Sequence, residues 1–170
     1  MSVLAYQQIK ALVLGEFPVV AGYVDLEAQL QPNGMDLTLH SIGRFAEAGR
    51  LGRSNAQRRL PPTEEMAFDQ GGELYLAPGP YLVTLNEVVH LPVGLTALSK
   101  PRSSLLRSGV ALHTSVWDAG YQGQPQSLLV VYNPHGFTMA RDARILQLVF
   151  FTLEAPSAAP YTGRFQGEHP

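Results

Sequence analysis

Two short stretches of this chain concentrate the residues that can do chemistry. The first, "KPRSSLLRSG", offers the guanidiniums of Arg102 and Arg107, the hydroxyls of Ser103 and Ser104, and turn amides between two predicted strands. Planar donor forks beside hydroxyl donors suit several phosphate oxygens at once. A Ser-capped turn carrying surface arginines is the competing reading, and both stand at this point. The second stretch, "WDAGYQG", places Asp118 at what reads as the mouth of a β-hairpin. Gly120 allows a tight turn or the close approach of a ligand to the backbone, and Tyr121 could then lie flat against a planar ring or sugar. An Asp-x-Gly turn with no further role is the plain alternative. After Asp118 the chain carries no acid until Asp142, so whatever happens at this hairpin must be done with one carboxylate.

Other chemistries are absent from the sequence. The histidines at 40, 90, 113, 135 and 169 show neither H-x-H nor H-E-x-x-H spacing, which argues against a histidine-ligated metal. There is no cysteine, which removes disulfides, thiolate chemistry and the H-x-E with P-C-x-x-C site of zinc base deaminases. Neither a P-loop nor a G-x-S-x-G elbow is present. A net charge of -2 and a pI near 6.2 provide no basic field for a nucleic-acid polymer. No apolar run approaches the length of a membrane span and no export signal is recognisable, so a cytoplasmic protein is expected.

The elements that must hold these stretches are mostly strands. Residues 2–14 put Ala5, Ile9, Leu12 and Val13 at helical spacing behind a Ser2 N-cap, predicting one short helix that ends at Gly15. From "QPNGMDLTL" onward, short Val-, Leu- and Tyr-rich runs alternate with Pro-Gly, Asn-Gly and Asp-x-Gly turn signals, as in an all-β sandwich or barrel. Strands are expected at 35–40, 73–77, 80–90, 95–99, 110–117, 127–133, 137–139 and 144–153. The run "SLLVVY" does not alternate apolar with polar, so that strand is expected to be covered on both faces. Residues 41–72, with five arginines and few large apolar residues, read as a solvated excursion, with a basic loop facing a nucleotide as the alternative. The 170 residues suit a single domain, and 15% charged residues, against roughly 25% in an average domain, hint at surface covered by other subunits. The Gly- and Pro-rich tail, residues 156–170, is expected to be flexible or to order as a lid, with Arg164 meeting negative charge and Phe165 stacking on a ring.

In their order, these stretches resemble the dUTPase and dCTP deaminase superfamily, and more closely its deaminase-like branch. "QPNGMDLTL", "LAPGPYLVTLNEVVHLP", "PRSSLLRSG", "WDAGYQG", "RILQLVF" and "YTGRFQG" match successive motifs of that group across nearly the whole chain. The resemblance implies a distorted β-barrel of jelly-roll type, assembled as a homotrimer with active sites between subunits. It implies that Ser103, Ser104 and Arg107 bind a triphosphate with Arg102 bracing the loop. Asp118 would touch the sugar hydroxyl and orient the attacking water, and Tyr121 would pack under the deoxyribose. Gln147 would lie near the phosphates, and Tyr161, Arg164 and Gln166 would come from the lid. Mg²⁺ would be held through the triphosphate and waters, with Asp36 structural or near those waters.

One departure selects among the activities of the superfamily. Its deaminases carry a glutamate on the strand after the hairpin as a proton shuttle, and here that strand reads "SLLVVYN". Counting back from Asn133 puts Val130 at the position, and counting forward from Gly123 puts Leu128 there. Loss of a general acid/base costs roughly 10²–10⁴ in rate. The expectation is therefore a dUTP diphosphatase that acts on a small deoxynucleotide. The alternatives are a dCTP deaminase, a bifunctional enzyme, or a non-catalytic deoxynucleotide-binding regulator.

Overall fold

A computed structural model describes residues 1–168, a predominantly β domain that bears out the all-β, barrel-like expectation. In chain order the elements are α1 (Tyr6–Val13), β1 (Val20–Ala21), α2 (Leu26–Gln29), β2 (Leu30–Gln31), β3 (Gly34–Phe45), β4 (Thr63–Glu65) and β5 (Glu73–Leu76). They continue with β6 (Gly79–Leu85), β7 (Val88–His90), β8 (Leu95–Pro101), α3 (Ser103–Arg107), β9 (Val110–His113), β10 (Gln122–Gly123), β11 (Gln126–Val131), β12 (Phe137–Ala140) and β13 (Arg144–Thr152). The main sheet runs β8-β13-β3-β6-β11-β9, with β2 and β4 added to β3. It curls almost into a barrel, its two end strands being joined through α3. Two smaller ladders, β1-β7-β10 and β12-β5, complete the fold.

Alternation drives the curl. In β11 Ser127, Leu129 and Val131 are buried while Leu128 and Val130 are half-buried, and in β6 Tyr81, Val83 and Leu85 face the same interior. Met35, Leu37, Ile42, Leu148 and Phe150 fill it from β3 and β13. Removing these side chains from water is the main force closing the sheet.

Several boundaries differ from those expected. The helix starts after Ala5, whose N–H donates to Gln8 Oε1 at 2.9 Å, and it ends at Val13. Ser2 caps nothing: its N–H and hydroxyl instead meet Thr152 Oγ1, at 3.1 and 3.0 Å. The run 80–90 is two strands in different sheets, divided at Asn86 and Glu87. Asn86 Nδ2 donates to Thr38 Oγ1 and Asp142 Oδ1, and the Glu87 carboxylate turns into the core. Strand β9 stops at His113, because the chain crosses to bury Trp117 against β8. Residues 41–72 are only partly a solvated excursion, since 41–45 complete β3 and Thr63–Glu65 pair back onto it.

Candidate functional site

Asp118 stands on a turn whose backbone is fixed on both sides. Trp117 and Ala97 exchange both backbone hydrogen bonds at 3.0 Å, and Thr96 Oγ1 donates to the Trp117 carbonyl at 2.8 Å. Beyond the turn, Gly120 N–H donates to Leu91 O and Leu91 N–H to Tyr121 O, at 2.9 and 2.8 Å. The turn closes through Tyr121 N–H to Asp118 O at 3.1 Å. Gly120 sits at φ 86°, in the left-handed region open to glycine. The buried indole thus anchors the turn, and the Asp118 side chain is left exposed at its tip. The expected hairpin mouth is a long connection between β9 and β11 that is stitched to β8 and β7.

A cavity of about 530 Å³ opens beside this turn, and Asp118, Tyr121, Tyr161 and Phe165 are among its walls. The Tyr121 ring meets Tyr161 edge-on at 5.7 Å. Burial, with Glu168 and Tyr161 nearby, pushes the Tyr121 phenol up to about 12, so it stays neutral and able to donate near pH 7. A smaller cavity of about 370 Å³ shares Asp118 and Tyr161 with the first, on the side of Thr96 and Ser157.

The tail makes hydrogen bonds to the body of the domain up to Glu168, and residues 169 and 170 of the expected lid lie outside the described residues. Tyr161 N–H donates to Ala119 O at 2.9 Å and Gly167 N–H to Gln122 O at 2.8 Å. Gln166 clasps the turn, its Nε2 donating to Gly120 O at 3.0 Å and its Oε1 accepting from Gln122 N–H at 3.1 Å. Gln166 therefore holds the loop and does not line the cavity, while Arg164 is exposed and also stands outside it. A Cβ at Gly120 would lie 2.6 Å from Pro160 Cβ and 3.1 Å from Tyr161 N. Gly120→Ala is accordingly expected to lift the tail. Cleavage by chymotrypsin after Tyr161 should quicken, and the melting temperature should fall by roughly 2–8 °C from left-handed strain alone.

The phosphate-type residues gather elsewhere. Ser103, Ser104 and Arg107 are exposed on α3, a helix where a turn was expected, and it is held down by the buried Leu105. Arg102, its N-cap, pairs with Asp36 at 3.1 Å, and Arg144 approaches the same carboxylate at 3.5 Å. Asp36 is only 3% exposed and its pKa is raised, burial outweighing the two guanidiniums. Asp36 thus ties the N-cap of α3 to β13 through its two arginines. Gln147 pairs with Asp36 in register, and its side chain covers Gly34, where a Cβ would come within 2.7 Å of Nε2. These residues lie at the far end of β8 from Asp118. From Ala97, beside Trp117, β8 runs four more residues to Pro101, about 13 Å of strand, before α3 begins. None of Ser103, Ser104, Arg107 and Gln147 lines the Asp118 cavity, so one chain does not bring the two halves together.

The two registers considered for "SLLVVYN" differ by two residues, so Leu128 and Val130 share the outer face of β11. Gln126 is the polar residue of that strand on this face, and it lines the cavity. Asp142, the next acid in the chain, is engaged by Asn86 at 2.8 Å. The sequence reading missed the part of the lining made by Phe45, Leu60, Pro61 and Pro62. The Leu-Pro-Pro run in an otherwise polar segment was its one visible signal. Among the described residues no group of three or more His, Asp or Glu side chains could hold a metal ion.

A family profile described as dCTP deaminase-like matches residues 3–153. A probable deoxyuridine 5′-triphosphate nucleotidohydrolase of Methanosarcina mazei is 42% identical over 169 residues, covering 99% of each chain. A protein of the same description from Archaeoglobus fulgidus is 43% identical, covering 99% of this chain and 98% of its own. Among solved structures, the 2′-deoxycytidine 5′-triphosphate deaminase of Agrobacterium tumefaciens superposes with a TM-score of 0.68 at 24% identity. The match covers 87% of this chain but 47% of that one, so the chain spans about half the length of the deaminase while sharing its fold. With a profile match over most of its length and relatives above 40% identity end to end, the chain belongs to the dCTP deaminase-like family.

Proposed function

We propose that the protein is a dUTP diphosphatase that hydrolyses dUTP to dUMP and pyrophosphate. The observation that carries this reading is the pairing of a rigidly held Asp118 with an outer face of β11 that bears Leu128 and Val130 and no acid. A water-orienting carboxylate is present, while the proton shuttle needed for attack on cytosine is not. The archaeal relatives named as dUTP nucleotidohydrolases support the same choice.

In the proposed mechanism Tyr121 packs under the deoxyribose and leaves no room for a 2′-hydroxyl. Backbone groups of residues 113–118 read uracil, and cytosine would leave those donors and acceptors unpaired, a large discrimination in a polar site. Asp118 accepts a hydrogen bond from the water attacking the α-phosphorus and contacts the 3′-hydroxyl. Ser103, Ser104 and Arg107 hold the triphosphate and meet the charge that develops on the transferring phosphoryl. Gln147, Tyr161 and Arg164 complete the binding set, the last two from the tail acting as a lid, while Gln166 holds the turn that carries Asp118. Asp118 and the half-buried Glu168 are the carboxylates lining the cavity, and among the described residues no group of three or more could hold an ion, which fits Mg²⁺ carried in on the triphosphate and its waters. When bound, it would neutralise phosphate charge and favour the departure of pyrophosphate.

Because α3 and Asp118 stand at opposite ends of β8 and no α3 residue lines the Asp118 cavity, a complete site needs α3 from a neighbouring copy. This supports a homo-oligomer, which the resemblance makes a trimer, placed in the cytoplasm where deoxynucleotides are handled. The decisive experiment measures pyrophosphate release from dUTP, dCTP, dTTP and UTP with and without Mg²⁺, together with ammonia release from dCTP. Release confined to dUTP is expected. Ammonia from dCTP would overturn the choice of activity, and nucleotide binding without release would replace the enzyme by a regulator.

A further inference from the structure

The segment between β3 and β4 is exposed but built. Arg50 and Arg59 exchange both backbone hydrogen bonds at 2.8 Å, and Gln57 Oε1 accepts from Arg53 N–H at 2.9 Å. The Arg59 side chain reaches Glu47 at 2.5 Å. From residue 46 to residue 60 every side chain is exposed except that of Arg58, which is half-buried. What covers it is the tail: the Arg58 guanidinium lies over the Phe165 ring, 5.8 Å from its centre. Asn55 Oδ1 accepts from Arg58 Nη2 and so fixes the fork before the ring arrives. Two residues after Arg58 come Leu60, Pro61 and Pro62, which line the same cavity as Asp118.

We propose that Arg58 is a positioning residue of this site, and that by stacking on Phe165 it fastens the tail to the 46–62 segment and closes the cavity over Asp118. The rest of the described tail is clasped to the turn that carries Asp118, to Gln122 and Gln124 just beyond it and, through Ser157, to Val93. The Arg58 contact ties it also to the segment that supplies Leu60, Pro61 and Pro62, so one strap joins two segments that line the cavity. An arginine is well suited to this task, because a weakly hydrated planar cation can lie against a ring at the edge of water. The role of the cavity in binding nucleotide rests on the function proposed above, whereas the fastening of the tail does not.

The test separates the two. In the ligand-free full chain, Arg58→Ala is expected to speed amide exchange across residues 161–168 by roughly two- to five-fold, the range of a partly exposed cation–π contact. Arg53→Ala, which removes the same charge from an exposed position of the same segment, should leave that exchange unchanged. Arg58→Lys should recover part of the protection, and Phe165→Ala should give no further effect in the Arg58→Ala background. With dUTP, Arg58→Ala should raise KM by a similar factor and leave kcat within about two-fold. Equal exchange in the Arg53 and Arg58 variants, or additive effects of Arg58→Ala and Phe165→Ala, would overturn the proposal. A wild-type protein that fails to release pyrophosphate would sink the assigned activity and leave the exchange result to stand by itself.

Discussion

Asp118→Asn is expected to lower kcat for dUTP by at least about 10²-fold while KM changes little. The substitution removes charge and almost nothing else. The turn is held by the Trp117–Ala97 pair, by Thr96 Oγ1 and by the Gly120 and Tyr121 backbone contacts with Leu91, none of which involves the Asp118 side chain. An isosteric amide should therefore occupy the same place, and the Tyr121–Tyr161 wall should still receive the nucleoside. What is lost is the anionic acceptor that aligns water and draws on its proton as the phosphorus is attacked. Steady-state pyrophosphate release beside nucleotide binding by calorimetry checks both halves. Turnover at the wild-type rate would remove Asp118 from the mechanism. A loss of binding as large as the loss of rate would instead make it a ligand of the ground state.

The strands were legible because each apolar run is bounded by residues with local reasons to turn, as at "QPNG" before β3 and "APGP" before β6. The candidate site was legible as two separate motifs for a related reason. Ser103 to Arg107 and Asp118 to Tyr121 are each continuous in sequence, so their residue types could be read without knowing the fold. Relations between distant segments could not be read that way. "TLNEVVH" alternates plausibly through residue 87, and only the partners Thr38 and Gln29 explain why Asn86 and Glu87 end one sheet and begin another. The Leu60–Pro62 wall becomes part of the site only when β4 pairs back onto β3. Gln166 carries the right side chain for a ligand, yet its geometry shows it spent on the Gly120 and Gln122 backbone.

Glu87 supplies the second large effect, through stability rather than chemistry. Its side chain is fully buried, among the described residues it pairs with no cation, and three donors face it: Gln29 Nε2 at 2.7 Å, Thr38 Oγ1 at 2.7 Å and Thr38 N–H at 2.9 Å. Burial nevertheless prevails over these hydrogen bonds and raises its pKa above the ordinary 4.5. Glu87→Ala is expected to cost about 3 kcal/mol, since it opens a void and strands the buried Thr38 N–H. Glu87→Gln should cost about 1–3 kcal/mol, because either orientation of the amide turns an NH₂ toward Thr38 N–H or Gln29 Nε2. The pH dependence gives the sharper test. With the folded value raised, the native state holds this proton where the unfolded chain has released it. Stability from Glu87 is thus fully present below 4.5 and is lost as the pH rises through the raised folded value. Glutamine cannot titrate, and the other carboxylates, Asp36 included, are common to both proteins and cancel in the difference. The gap in unfolding free energy between wild type and Glu87→Gln, from urea melts, should therefore narrow as the pH is raised toward neutrality. A gap that widens over the same range would mean that the three donors, and not burial, set the ionisation of this carboxylate.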